Sequence, residues 1–132
     1  MQDVIVYMSD VSLIPDDAWE VIQAGGQKSV LVIDCLRLHS HMSHMGVREA
    51  GETIRRIRAR RSYMTGFDHD VSQEEYVRIG EGVGEGEGDT VREGMAMMRE
   101  ALEGETHWVR PAHDGLRVFL DREGRVWDET YT

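Results

Sequence analysis

No apolar run of about eighteen residues occurs in this 132-residue chain, so the sequence offers no membrane-spanning helix. Met1-Gln2-Asp3 lacks the basic start and apolar stretch of a secretory signal, which makes a cytoplasmic location the expectation. Cysteine occurs once, as Cys35, and a lone cysteine excludes an internal disulfide. Its place just after an apolar run suits a small packed hydrophobe rather than a nucleophile. Positive charge is also short, and the formal net charge of -10 argues against non-specific nucleic-acid binding. No internal repeat divides the chain, and its length suits a single modest domain over residues 1–132.

The cationic charge gathers at Arg55, Arg56, Arg58, Arg60 and Arg61. Two readings fit that block: the solvated face and carboxyl end of a helix beginning near Gly46, where cations are favoured, or a phosphate-binding patch. Acid collects in Glu81–Asp89 and in the C-terminal tail, far in sequence from most histidines. Residues 80–89 alternate glycine with glutamate and cannot bury enough apolar surface to order themselves, so an acidic glycine-rich surface loop is expected there. A phosphate-cradling loop is excluded, because Glu81, Glu85 and Glu87 would repel an anion and no P-loop lysine follows.

Val30, Leu31, Val32 and Ile33 form a continuous aliphatic run that fits a strand covered on both faces, with Asp34 at its carboxyl end. His39, His41 and His44 follow, and Val47, Ala50, Ile54 and Ile57 then repeat at helical spacing. Strand, loop and helix recur on both sides of this unit. Val4–Tyr7 reads as a strand, and Pro15-Asp16-Asp17 opens a helix through Trp19 and Ile22 that Gly25 and Gly26 stop. Ser62–Thr65 is a further strand, and a helix over 71–79 starts with Ser72 and Glu75 at capping-box spacing. Thr90–Leu102 is an amphipathic helix, and Leu116–Leu120 with Arg125–Trp127 forms a hairpin.

Imidazoles and carboxylates that can ligate zinc, manganese or iron fall at successive strand ends: Asp10, Asp34, His39, His41, His44, His69, Asp70, His113 and Asp114. Parallel strands would bring such positions to one sheet edge. Asp34 is expected to support the site rather than ligate, either pairing with Arg37 or fixing a histidine tautomer.

Five stretches in order carry a resemblance: Tyr7-Met8-Ser9-Asp10-Val11-Ser12, Leu31-Val32-Ile33-Asp34-Cys35-Leu36-Arg37, His41-Met42-Ser43-His44, Tyr63-Met64-Thr65 with His69-Asp70, and Pro111-Ala112-His113-Asp114-Gly115-Leu116. Together they resemble the C-terminal half of a metallo-β-lactamase-fold hydrolase, in the branch that includes the phosphoribosyl cyclic phosphodiesterases. The resemblance covers most of the chain apart from the acidic glycine loop and the helix after it. It implies an α/β fold forming the second half of an αββα sandwich, with a mixed sheet, flanking helices and a C-terminal β-hairpin. It also implies a metal-dependent hydrolase, using zinc or manganese, that acts on a small phosphodiester. Asp10 then matches the aspartate that bridges two metals, and His44 a histidine that contacts the substrate phosphate and acts as an acid toward the leaving group. His41 is its catalytic neighbour, His69 a metal ligand or its support, and Asp34, Asp70 and Asp114 are supporting residues.

Two departures qualify that resemblance. Where the family commonly has Thr-His-x-x-His-Asp, this chain has Thr65-Gly66-Phe67-Asp68-His69-Asp70, so Gly66 stands at a usual metal-ligand position. The family's His-x-His-x-Asp-His motif is absent from the 132 residues, and the expectation is a C-terminal fragment inactive in isolation. His39-Ser40-His41-Met42-Ser43-His44 has the spacing of that motif, with serine for aspartate, but in that register Asp10 and Asp114 lose their roles. Two other readings remain: a non-catalytic or split chain acting through a partner or by self-association, and a small histidine-cluster metal-binding protein.

Overall fold

Each apolar run becomes a strand in the computed structural model, which describes residues 4–9, 11–40, 44–82 and 88–131. Four strands, β1 (Val4–Met8), β2 (Lys28–Asp34), β3 (Arg61–Thr65) and β4 (Val109–Pro111), form one parallel sheet in sequential order. Between them run α1 (Asp16–Ala24), α2 (Val47–Ile57), α3 (Gln73–Glu81) and α4 (Asp89–Ala101). The chain closes with a separate antiparallel hairpin of β5 (Val118–Leu120) and β6 (Val126–Asp128). This is an α/β arrangement consistent with half of a metallo-β-lactamase-type fold. The mixed strand directions are divided between two sheets, parallel in the first and antiparallel in the second.

Period-two alternation sorts the sheet into two faces. Val6, Leu31, Ile33, Met64 and Val109 belong to a single apolar core with residues of all four helices, among them Trp19, Ile54, Tyr76 and Met95. On the opposite face the register places Ile5 and Tyr7 beside Val30 and Val32, and these beside Arg61 and Tyr63. The hairpin covers the β3 end of that second face. There the Asp128 carboxylate accepts from Arg61 at 2.7 Å and from the Tyr63 hydroxyl at 2.6 Å, while Arg60 donates to the Gly124 carbonyl. The β1 end is open: Ile5 is 60% and Tyr7 66% exposed.

The arginine block resolves as helix surface and structural contacts. Arg48, Arg55 and Arg58 pair with Glu100, Glu103 and Glu105 at 2.7, 3.1 and 3.0 Å, tying α2 to the end of α4. Arg56 stacks on Trp19, 3.8 Å from the ring centroid. With these partners in place, the block serves as helix surface and as contacts to α4, α1 and the hairpin.

The acidic glycine loop is narrower than its sequence suggests. Gly80 and Glu81 are helical, Gly82 caps α3 in the left-handed region, and Asp89 already belongs to α4; residues 83–87 lie outside the described residues. Gly80 is there for packing, because a β-carbon on it would fall 2.3 Å from the Val109 carbonyl oxygen. The helix can approach β4 only with glycine at that point. β4 itself has no signature of its own: three residues ending in proline become a strand by pairing with Ser62, Tyr63 and Met64.

Candidate functional site

Four parallel strands deliver their carboxyl ends to one edge of the sheet, where α/β proteins bind ligands. Ser9, the segment from Cys35, the segment from Gly66 and the segment from Ala112 all leave from that edge. Asp10 and His41 lie outside the described residues.

Asp34 ends β2 and is 1% exposed. Its two carboxylate oxygens lie 3.2 and 3.1 Å from Nδ1 of His44. A carboxylate only accepts, so Nδ1 carries the hydrogen. The Met45 backbone N–H donates to the same carboxylate at 3.0 Å. Beneath it stands Gly66 at φ +82°, where a β-carbon would lie 2.8 Å from Oδ1 of Asp34. Between the two alternatives for Asp34, the partner is therefore the histidine and not Arg37.

Backbone pairing holds this arrangement in place. Leu36 N–H donates to Met45 O and Val47 N–H to Leu38 O, each at 3.0 Å, and Arg37 bridges Gly46, so the excursion between β2 and α2 closes on itself. Cys35 N–H to Thr65 O and Asp68 N–H to Leu36 O, both 2.8 Å, tie the segment after β3 to it. Cys35 is fully buried; burial pushes its thiol pKa up, the adjacent Asp34 charge adds to the rise, and the group is unsuited to nucleophilic work.

The remaining candidates stand farther from water exclusion. His69 and Asp70 are exposed, and the Asp70 N–H donates to the Asp68 carboxylate at 3.0 Å. His39 is 72% exposed with Nε2 2.9 Å from the Glu93 carboxylate, so that nitrogen is engaged on α4. His113 donates from Nδ1 to the Asp114 carbonyl at 3.0 Å, which leaves Nε2 of the neutral ring to accept from the Thr130 hydroxyl at 2.6 Å. Asp114 thus contributes its carbonyl, and its side chain stands in an exposed residue. Neither Thr130 nor the Met45 amide had a sequence signal, because each partner is set by the fold rather than by a motif.

Among the described residues no group of three histidine, cysteine or carboxylate side chains is gathered to hold a metal. The reasons are visible in the geometry. The Asp34 oxygens already accept from His44 and Met45, and Gly66 contributes no donor. The described residues by themselves do not fit a divalent ion.

No protein-family profile matches the chain, and no curated protein matches it. Among solved structures it is similar to one described as a new diphosphatase from the PhnP family, with a TM-score of 0.57 and 23% identity. The likeness covers 85% of this chain and 33% of that one, so the chain spans about a third of the length of its structural relative. At that identity the likeness shows the fold. Among the described residues no helix is long and apolar enough to cross a membrane.

Proposed function

We propose that the chain is the C-terminal part of a metallo-β-lactamase-fold hydrolase that cleaves a small phosphodiester with the help of a divalent metal, zinc or manganese. The observation that carries this reading is the Asp34–His44 contact at the carboxyl edge of a sheet shared in fold with a diphosphatase. A buried carboxylate holding Nδ1 turns the other ring nitrogen into the one by which His44 meets a phosphoryl oxygen. As an imidazolium, with Nδ1–H held by Asp34, His44 would donate from Nε2–H to that oxygen and give that Nε2 proton to the leaving group, with His41 beside it. Asp10 and His69 are the residues this chain would bring to a metal, and Asp34, Asp70 and Asp114 support them. The remaining donors belong to a half that carries His-x-His-x-Asp-His, a motif these 132 residues do not contain.

The open sheet face favours a partner role as well. Ile5 and Tyr7 present apolar surface on an edge strand, and we read that face as the seat of the completing half. A cytoplasmic setting fits a lone buried thiol that needs no oxidising compartment.

The test is hydrolysis of a bis-aryl phosphodiester with added zinc or manganese. The chain alone is expected to stay near background, and co-expression with a segment bearing His-x-His-x-Asp-His to raise turnover that His44→Ala and Asp10→Ala remove. Turnover by the chain alone that survives both substitutions would overturn the assignment.

A further inference from the structure

One arginine at the same sheet edge is a partly buried residue and shows no counter-ion among the described residues. Arg37 follows β2 and lines a cleft of about 300 Å³ together with His39, Asp70 and Thr90. With 25 acidic residues against 15 basic ones, an arginine in this chain has carboxylates to spare. Arg48, Arg55, Arg58 and Arg61 each hold one. Arg110 is partly buried without an ion pair but donates to the Val109 carbonyl and lies over Trp108, and Arg99 and Arg122 show no ion pair but are exposed, where water hydrates the charge. Among the described residues Arg37 has no carboxylate partner, and the residue as a whole is partly buried. Asp70 shares the cleft without forming an ion pair to it, and His39 is engaged with Glu93. A guanidinium that lines a cleft and has no carboxylate partner there can offer its fork to a bound anion.

Its position relative to the proposed chemistry is fixed by backbone. Arg37 bridges Gly46, two residues beyond His44, within the loop that closes on itself. A ligand group held by Arg37 is therefore tied by backbone pairing to the residues that directly follow the imidazole.

We propose that Arg37 is an anion subsite, binding an oxyanion of the substrate other than the phosphoryl group that His44 meets. The guanidinium fork matches phosphate or carboxylate oxygens in pairs. The inference rests on the reading of His44 for the identity of the substrate, but not for the binding itself.

Binding is tested on the full, metal-free chain by following the Arg37 Nε–H resonance while inorganic phosphate, or acetate in a separate arm, is titrated at constant ionic strength. A saturable shift of Arg37 is expected, with Arg99 and Arg122 as exposed references that do not saturate. The arm with the tighter binding names the anion. Followed instead by calorimetry, or by the backbone amide shifts of Leu38 and Val71, which every variant retains, Arg37→Gln is expected to weaken binding tenfold or more, about 1.4 kcal/mol. Arg37→Lys, which keeps the charge and the fold but loses the fork, should fall between. Saturation that persists in His44→Ala supports the subsite even if no hydrolysis is ever found. A shift no different from that of Arg99 and Arg122, or binding unchanged in Arg37→Gln, would overturn it. So would phosphodiester turnover by the completed enzyme that depends on His44 and is indifferent to Arg37→Gln.

Discussion

Oδ1 of Asp34 stands 2.8 Å from the point that a β-carbon on Gly66 would occupy. The two positions are therefore coupled: the carboxylate that holds His44 takes the space a side chain at 66 would enter. In the family that the sequence resembles, that position commonly carries a histidine ligand. Here the backbone at 66 is left-handed at φ +82°, which disfavours any side chain before the collision is counted.

Restoring a histidine by Gly66→His should accordingly destabilise the chain by about 1–3 kcal/mol and should not create zinc affinity. Urea unfolding and zinc calorimetry check the two parts. A variant as stable as the parent that binds zinc would show that Asp34 can yield the space.

Removing the carboxylate should cost more than its size suggests. Asp34→Ala leaves the Met45 N–H and the His44 ring N–H without their acceptor, and about 2–3 kcal/mol of stability is expected to go. The nitrogen shifts of His44 should at the same time move from a single tautomer toward a mixture. An unchanged imidazole spectrum in Asp34→Ala would mean that something else holds the ring.

How far the sequence reveals this site depends on whether a feature is local. Strands β1 to β3, all four helices, the Ser72–Glu75 capping box and the hairpin follow from periodicity and punctuation within a dozen residues. The gathering of strand ends follows from parallel strands. The partner of Asp34 does not, since Arg37 and His44 both lie within reach in sequence and only the closed loop chooses between them. Gly80 misleads for the same reason: beside Gly82, Gly84 and Gly86 it looks like loop, and its contact with Val109 comes from a strand that has no signature of its own.

Acid should loosen the hairpin. Burial works to raise the Asp128 pKa, but the amides of Tyr131 and Thr130, the Tyr63 hydroxyl and the Arg61 charge outweigh it and hold the group below its ordinary value of 3.8. A depressed folded pKa gives stability that is present above the ordinary value and is lost as pH falls through the folded one. Asp128→Asn should thus be less stable than the parent at neutral pH, and the difference in urea midpoint should narrow on acidification below about pH 4. A difference that stays constant down to pH 2 would rule out the ionised carboxylate as its source.

The uncovered end of the second face should make the isolated chain sticky despite its charge. Sedimentation velocity is expected to show concentration-dependent association, reduced in Ile5→Lys with Tyr7→Lys, both of which sit in exposed positions. A parent chain that sediments as one monomer at all concentrations would leave that face without a role.

Asp128 meets Arg61 and Tyr63 across separations of 67 and 65 residues. During synthesis the guanidinium and phenol of β3 are made long before the carboxylate they serve, and closing so long a loop waits on its far end. The β3 side of the second face therefore gains its cover last, after every strand of the parallel sheet has been made.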